Sequence, residues 1–172
     1  MNTIRSFRAH LAMLVCLILV AGCSQPHPLV GQAAPGFSLD DLSGQKVSLA
    51  QFRGQVVLLN FWAVGCGPCR MEIPHLVTLH EKYGKDGLRV IGVNAWEYEP
   101  DARVKDFVTK EKLPYTILRG SRKFLGDTYK GKYIPHNFLI DRQGKVVWSE
   151  VGFDESDLPA LERRIEELLA KS

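Results

Sequence analysis

The order of apolar and polar residues along the chain predicts alternating strands and helices. Residues 56–61 and 88–93 are almost continuous apolar runs, which are typical of buried strands. Residues 67–83 between them carry apolar side chains at helical spacing and predict a helix. The inner face of that helix is predicted to consist of Met71, Leu76, Leu79 and Tyr83.

The remaining apolar segments predict an α/β fold. Short apolar stretches flank a polar turn at Gly44, which predicts an N-terminal β-hairpin. Asp101 is predicted to cap a helix with Val104, Phe107 and Val108 on its inner face. Further predicted elements are a strand at 115–118, a short helix at 124–129, strands at 138–140 and 146–151, and a final amphipathic helix at 157–170. This order predicts a central mixed β-sheet flanked by helices and covered on both faces.

The first 22 residues have the pattern of an export signal. Arg5 and Arg8 precede an apolar stretch over residues 11–22. As a helix this stretch is about 18 Å long, against about 30 Å for a bilayer core, so it suits the apolar region of a signal peptide. It leads into Leu-Val-Ala-Gly-Cys23, which resembles the bacterial lipobox, where the chain is cut before the cysteine and the cysteine is acylated. An ordinary signal peptide with an incidental Cys23 is the alternative.

Lipidation at Cys23 divides the chain into three parts. Residues 1–22 are then a lipoprotein signal peptide, residues 23–36 a lipidated tether containing prolines, and residues 37–172 the folded domain. The formal charge of the whole chain is only +3, and 45% of its residues are hydrophobic. These values exclude a disordered chain and argue against a nucleic-acid binder that works by neutralising phosphates.

Two cysteines remain in the exported domain, because Cys16 leaves with the signal peptide and Cys23 carries lipid. Cys66 and Cys69 form a Cys-Gly-Pro-Cys motif between a predicted buried strand and a predicted helix. The unpaired amides and the positive dipole end of that helix favour the Cys66 thiolate. Pro68 is tolerated in the first helical turn. The arrangement suits a thiol–disulfide exchange in which Cys66 attacks a substrate disulfide and Cys69 resolves the mixed disulfide.

An inert bridge and a zinc or copper site are the alternatives for this cysteine pair. A loop this short gives little stabilisation through chain entropy, so a purely structural bridge is disfavoured. A metal site needs further ligands, and no second Cys-x-x-Cys is present. A metal-handling module without turnover would bind copper or zinc at Cys66, Cys69 and His136. The sequence assigns no metal ligand and no cofactor beyond the redox-active Cys66–Cys69 disulfide.

The domain resembles the TlpA/ResA group of exported thiol–disulfide oxidoreductases, which have a thioredoxin-like fold. The resemblance extends over residues 31–170. The residues that carry it are Gly31, Ala34-Pro35, Phe37, Leu39-Asp40, Leu42, Gly44, Phe52, Gly54, residues 56–63, Cys66-Gly67-Pro68-Cys69-Arg70, Glu72, Pro74, residues 90–94, Ile134-Pro135, residues 138–141 and Gly144. The resemblance implies that Cys66 is the nucleophile and Cys69 the resolving thiol. It also implies that Pro74 kinks the active-site helix, that Pro135 is a cis-proline facing the pair, and that the Ile134 backbone binds a substrate strand.

The sequence also supports expectations for other residues near the cysteine pair. Glu97 aligns with the acidic residue that relays protons to the resolving thiol in the ResA branch, and Glu99 lies nearby; a solvated loop acid is the alternative for Glu97. Asn60 stands where thioredoxins have a buried Asp, and Gly65 stands where most relatives have Trp. Trp62 is expected to pack under the active-site loop.

His136 follows the cis-proline position, where many relatives have a small or acidic residue. Near the thiolate, a charged imidazole would lower the thiol pKa; an exposed edge side chain is the alternative.

The resulting expectation is a membrane-tethered disulfide reductase on the extracytoplasmic or periplasmic face. Gly-Pro between the cysteines is the dipeptide of thioredoxin, whose potential of about −270 mV is reducing. The resemblance implies a transmembrane thiol donor, and apocytochrome c or other exported cysteine proteins as substrates, with the domain acting as a monomer. A peroxiredoxin-like peroxidase is a further alternative, but that class has a Thr and a Pro shortly before its reactive cysteine, and this chain has Val64 and Gly65.

Overall fold

Seven strands form one mixed sheet in the computed structural model, which describes residues 26–96 and 98–171. The elements in chain order are β1 (Ser38–Asp41), β2 (Lys46–Ser48), β3 (Val56–Trp62), α1 (Gly67–Tyr83), β4 (Leu88–Asn94), α2 (Asp101–Lys110), β5 (Thr116–Arg119), β6 (His136–Ile140), β7 (Val146–Val151) and α3 (Leu158–Leu169). Short helical turns lie at Leu49–Phe52, Gly84–Asp86, Phe124–Thr128 and Glu155–Asp157. The predicted α/β class and the N-terminal hairpin are confirmed.

The strand order places β3 in the interior of the sheet. The order is β2-β1-β5-β4-β3-β6-β7, with β3, β4 and β5 parallel and the other neighbours antiparallel. All seven residues of β3 are buried, which explains why its sequence is apolar except for Asn60. The chain moves from β3 to β4 to β5 in one direction, and right-handed crossovers therefore put α1 and α2 on the same face.

Two apolar cores lie on the two faces of the sheet. The first core packs α1, α2 and α3 against one face, with Leu58, Leu76, Val104 and Ile165 among its buried side chains. The second core contains Phe61, Tyr129 and Phe138 and is covered by short turns and by the segment before β1. Both faces are covered, as predicted, but within the described residues the three longer helices all pack on the first face.

The segment before β1 is part of the domain rather than a tether. Gly31 N donates to Val146 O at 2.8 Å, and Val146 N donates to Gln32 O at 2.9 Å. Ala34 N donates to Gly144 O at 2.8 Å, and Tyr129 Oη donates to Pro35 O at 2.7 Å. The prediction that the tether extends to residue 36 is therefore wrong.

The physical reason is that the few apolar residues of this segment are used for packing. Leu29, Val30 and Ala34 lie against the second core. The His27 ring packs edge-on against His136 and Phe138, with centroid distances of 5.2 Å and 5.1 Å. A proline-containing segment with so few apolar residues is typical of a tether, so its sequence pattern does not predict this packing. The folded domain therefore includes the chain from His27 onward.

Removing residues 26–36 is expected to destabilise the domain. A chain that begins at residue 37 loses the three hydrogen bonds to residues 144–146 and the packing of Leu29 and Val30. Partial burial of two such side chains contributes about 2 kcal/mol. Urea unfolding of chains beginning at residue 26 and at residue 37 measures the difference. Equal midpoints would show that the segment contributes nothing.

Two local predictions on the helices are wrong. Met71 is 61% exposed, whereas Glu72 is buried. Cys69 and Ile73 define the buried face of α1, and Met71, two residues from each, lies on the opposite side of the helix. The N-cap of α2 is Pro100 rather than Asp101, and the Asp101 carboxylate instead pairs with Arg119 Nε at 2.8 Å.

Over residues 26–96 and 98–171, the helices are too short or too polar for any of them to cross a membrane.

Candidate active site

Cys66 and Cys69 form a disulfide where β3 leads into α1. The S–S distance is 2.02 Å, and the Cα atoms are 5.3 Å apart. Cys66 is the N-cap of α1, and its Sγ accepts a hydrogen bond from Cys69 N at 3.2 Å. Cys66 is half-buried, whereas Cys69 is 1% exposed. An incoming thiolate or disulfide can therefore reach Cys66 but not Cys69.

The helix start explains the residues between the cysteines. Gly67 and Pro68 occupy the first two positions of α1, where a proline costs no intrahelical hydrogen bond. The first-turn amides and the helix dipole point toward Cys66 and favour its thiolate. Pro74 lies inside α1 and cannot donate to the carbonyl four residues before it.

The Ile134–Pro135 peptide bond is cis, as the resemblance implied. Pro135 O accepts a hydrogen bond from Gly152 N at 2.8 Å, which joins this turn to the end of β7. Ile134 contributes to the wall of a cavity of about 370 Å³ that Cys66 also lines. Further lining residues are Gly65, Trp96, Tyr98, Glu99 and Arg103.

The rim beside this cavity is rich in exposed aromatic side chains. Trp96 is 36% exposed and Tyr98 is 80% exposed, and both line the cavity. Tyr133, which is 71% exposed, lines a neighbouring pocket that shares Trp96 and Ile134 with it. Arg122 lies over the Trp96 ring, with its Cζ 5.0 Å from the ring centroid. Trp62, by contrast, is buried, and its ring packs on Phe107 at 5.4 Å between centroids. Aromatic surface is therefore available beside Cys66 although residue 65 is glycine.

A buried carboxyl group lies one helical turn after Cys69. Glu72 is 4% exposed; its Oε2 accepts from Asn60 Nδ2 at 2.9 Å and its Oε1 accepts from Asn137 Nδ2 at 2.5 Å. Burial raises the pKa of Glu72 to about 7, although the two amide hydrogen bonds act in the opposite direction. A carboxyl group with this pKa can accept or release a proton near neutral pH.

The sequence pattern alone assigns no chemical role to Glu72. Its signal was present, because a residue three positions after Cys69 lies on the same face of α1 and points into the first core. An acidic residue on a buried helix face is unusual and marks a functional candidate. Asn60 donates to this same carboxyl group.

Glu97, the predicted proton relay, lies outside the described residues. Its neighbour Glu99 is 6% exposed and is hydrogen-bonded to the loop before Cys66. One carboxyl oxygen accepts from Val64 N and the other from Gly65 N, both at 3.1 Å. Glu99 thus contacts the nucleophile's loop, while Glu72 is the buried acid that lies on the helix of the resolving thiol.

His136 lies neither near the Cys66 thiolate nor exposed at an edge of the sheet, which are the two positions predicted for it. It is 1% exposed, its Nε2 is 2.8 Å from Ser149 Oγ, and its ring stacks on Phe138 at 4.3 Å. Its neighbour Asn137 points toward α1, so His136 faces the second core on the other side of the sheet. Burial lowers the pKa of His136 to about 4, so it is neutral at physiological pH and gives the thiol no positive charge.

The position of His136 does not support the alternative of a metal site formed by Cys66, Cys69 and His136. Its predicted ligand His136 lies across the sheet from α1, where Cys66 and Cys69 are found. Among residues 26–96 and 98–171, no three His, Cys, Asp or Glu side chains are grouped as metal ligands.

Comparisons with known proteins find relatives whose names fit a redox-active cysteine pair. Residues 30–149 match the model of the AhpC/TSA family. A protein of Bacillus thuringiensis (strain Al Hakam) named thiol-disulfide oxidoreductase ResA is 40% identical over 125 residues, which cover 72% of this chain and 70% of the relative. A protein of the same name from Halalkalibacterium halodurans is 34% identical over 122 residues, covering 71% and 68%.

Solved structures show the same architecture. A candidate DsbE thiol:disulfide interchange protein from Chlorobium tepidum superposes with a TM-score of 0.74 at 35% identity, covering 80% of this chain and 96% of that structure. A thiol:disulfide interchange protein from Bacteroides sp. gives a TM-score of 0.70 at 28% identity, covering 83% and 93%.

The chain therefore belongs to the AhpC/TSA family, and its fold is thioredoxin-like, as the TlpA/ResA resemblance implied. Within that family it is an enzyme, a thiol–disulfide oxidoreductase of the ResA/DsbE type.

Proposed function

We propose that this oxidoreductase is tethered to the membrane, acts on the extracytoplasmic side, and reduces disulfides of exported proteins such as apocytochrome c. The observation that carries the proposal is the position of the Cys66–Cys69 disulfide at the start of α1. One sulfur is accessible, and the other is buried one turn from Glu72. This asymmetry separates an attacking thiol from a resolving thiol.

The first step is attack by the reduced enzyme. The Cys66 thiolate attacks one sulfur of the substrate disulfide, forms a mixed disulfide, and releases the other substrate sulfur as a thiolate that takes up a proton. The helix dipole and the first-turn amides of α1 stabilise the attacking thiolate. The half-buried position of Cys66 allows this approach.

The second step releases the substrate. Cys69 loses its proton and attacks the Cys66 sulfur of the mixed disulfide, which forms the Cys66–Cys69 disulfide and expels the second substrate thiolate. The buried Cys69 thiol has no access to bulk water, so its proton needs a nearby acceptor. Glu72 on the same helix, with a pKa of about 7, is the proposed acceptor.

The substrate strand is proposed to lie along the cis-proline turn. The Ile134 backbone precedes Pro135 in that turn, where it can bind an extended segment by β-augmentation. Side chains next to the substrate cysteine would enter the cavity beside Cys66, whose wall includes Trp96 and Tyr98.

The membrane tether and the electron supply follow from the lipobox and from the exported location. Acylation at Cys23 would retain the protein on the membrane, since several acyl chains anchor stably where one does not. Each turnover leaves the Cys66–Cys69 pair oxidised. A transmembrane thiol donor is therefore the proposed source of the two electrons and two protons that reduce it.

The reduction potential of the full-length chain and its insulin reductase activity test the proposed function. A potential near or below about −250 mV, with turnover of insulin disulfides, is expected for a reductase. A potential of about −120 to −180 mV would instead indicate an oxidase or isomerase. Stoichiometric copper or zinc binding without turnover, or hydroperoxide consumption by Cys66 in place of disulfide reduction, would replace the proposal with one of its alternatives.

The tether is tested separately. Cys23→Ala is expected to move the mature protein from the membrane fraction to the soluble fraction of an expressing bacterium. Unchanged fractionation would contradict the lipid anchor and leave the redox chemistry unaffected.

A further inference from the structure

The Glu99 carboxyl group is bound to the loop that precedes Cys66. It accepts hydrogen bonds from Val64 N and Gly65 N, both at 3.1 Å, and from Asn94 Nδ2 at 2.7 Å. All three partners are donors, and both carboxyl oxygens act as acceptors, which fits the ionised form. A buried carboxylate therefore lies on two consecutive amides directly before the nucleophile.

The segment that carries Glu99 is held in place by Arg119. Arg119 Nη2 donates to Glu99 O at 2.6 Å, and Arg119 Nη1 donates to Asn94 Oδ1. Arg119 Nε pairs with Asp101 at 2.8 Å, and the Arg119 side chain is only 16% exposed. The ends of β4 and β5 and the start of α2 are thus joined around Glu99.

Glu99 and Cys66 face the same cavity. A Cβ atom built on Gly65 would lie 4.0 Å from Glu99 Oε1, with no other atom within 4 Å. Because Gly65 has no side chain, nothing from that residue separates the carboxylate from the space beside Cys66. Among the described residues, Glu99, Arg103 and Tyr98 are the titratable or charged groups that line the cavity with Cys66.

Of the cations near this site, Arg103 lines the cavity with Glu99, and Arg122 lies over the ring of Trp96, which also lines the cavity. The Arg103 residue is exposed to solvent, which screens its charge. The Arg70 guanidinium on α1 lies over the Phe107 ring, with Cζ 5.8 Å from the centroid. Arg119 contacts the Glu99 backbone carbonyl and not its carboxylate.

We infer that Glu99 is a positioning residue that sets the reduction potential of the Cys66–Cys69 pair. It holds the loop before Cys66 and keeps a negative charge beside the nucleophile. This inference rests on the proposed role of Cys66. The amides of Val64 and Gly65 donate to Glu99 and so are not available to a thiolate. The carboxylate charge also repels the thiolate, and a couple whose thiolate is disfavoured is more reducing.

Glu99→Gln in the full-length chain tests the inference, because it removes the charge and keeps the size of the side chain. Two quantities are measured: the thiol pKa of Cys66 by thiolate absorbance, and the equilibrium in which the disulfide and two glutathione molecules give the dithiol and glutathione disulfide. Without the charge, the thiol pKa is expected to fall by about one pH unit. At a pH above the Cys66 thiol pKa of both proteins, the equilibrium constant is expected to shift about tenfold toward the dithiol, which corresponds to about 30 mV.

Three further measurements separate redox poise from folding. Glu167→Gln, which removes an exposed carboxylate on α3, is the matched control and is expected to change neither quantity. Glu99→Asp keeps the charge and is expected to retain most of the wild-type thiol pKa. In reduced wild-type protein, the ¹³C carboxyl resonance of Glu99 is expected to move at the pH where Cys66 ionises, a measurement that needs no variant.

The inference is overturned if Glu99→Gln lowers the melting temperature but leaves the thiol pKa and the glutathione equilibrium unchanged. It is equally overturned if the Glu99 resonance does not respond to ionisation of Cys66. A wild-type chain without a reversible Cys66–Cys69 couple would instead refute the proposed function, so the two failures are distinguishable.

Discussion

Cys66→Ser is expected to reduce insulin reductase activity by at least about 10³-fold, because no accessible thiolate then remains among the described residues to attack a disulfide. Cys69→Ser is also expected to lose turnover, but for a different reason. Its Cys66 still attacks, and without the resolving thiol the mixed disulfide with the substrate persists. Non-reducing gels and intact mass after incubation with a disulfide-containing protein measure the trapped complex.

The two cysteine variants therefore give opposite results in the trapping experiment. Cys69→Ser accumulates the mixed disulfide, and Cys66→Ser does not, because Cys69 is 1% exposed and out of reach of a protein substrate. Cys66→Ser/Cys69→Ser is the control for nonspecific capture. Trapping by Cys66→Ser rather than by Cys69→Ser would reverse the proposed roles.

Glu72→Gln is expected to slow the resolving step by about 10²-fold near neutral pH, the effect typical of losing a general base. The wild-type rate is expected to rise as the pH passes about 7, where Glu72 loses its proton. The variant lacks this rise, and its mixed disulfide accumulates. Rapid mixing followed by acid quenching and mass analysis separates the formation of the mixed disulfide from its resolution. An unchanged pH profile in the variant would remove Glu72 from the mechanism.

The same substitution is expected to change how stability depends on pH. The folded-state pKa of Glu72 is raised from 4.5 to about 7, so the protonated carboxyl is favoured in the folded protein. Its contribution is full below about pH 4.5 and is lost as the pH rises through about 7. At 1.36 kcal/mol per pKa unit, the loss is about 3 kcal/mol.

Urea unfolding of the oxidised protein between about pH 4 and pH 9 measures this change. The difference in unfolding free energy between wild type and Glu72→Gln isolates the carboxyl, because the other titrating groups are common to both proteins. A difference that does not vary with pH would contradict the raised pKa. Glu167→Gln again serves as the exposed control.

The fold was accessible from sequence because its strands have an unambiguous pattern. The seven residues of β3 are all buried, and such a strand shows as an apolar run, interrupted here only by Asn60. The Cys-Gly-Pro-Cys motif follows that run directly, so the position of the pair at a helix start was also predictable. Flanking residues such as Ile134-Pro135 made the resemblance to the TlpA/ResA group specific.

Burial of the acidic residues, by contrast, could not be predicted from the sequence. Whether Glu72, Glu97 or Glu99 is buried depends on the contacts made after folding, and a local pattern carries little of that information. Glu72 becomes buried because Asn60 on β3 and Asn137 on β6 supply donors from distant parts of the chain. The position of Glu99 likewise depends on Arg119, which donates to the Glu99 backbone carbonyl.

The predictions for His136 and for the segment before β1 are wrong for a related reason. His136 lies on a strand, where adjacent residues face opposite sides of the sheet, and the cis-proline position alone does not determine which side. The packing of His27, Leu29 and Val30 uses a partly polar, proline-containing sequence that resembles a linker. Both features depend on tertiary contacts with β6 and β7.

The packed segment before β1 also determines how far the enzyme can stand from a lipid surface. His27 contacts His136, which pairs with Phe61 at the end of β3 nearest Cys66. Ser24, Gln25 and Pro26 are all that separate His27 from Cys23. At about 3.5 Å per residue, their reach is about 14 Å. An acylated Cys23 would therefore hold the reactive end of the molecule close to the bilayer, where a donor embedded in the membrane needs only a short extension and a bulky folded substrate has little room to enter.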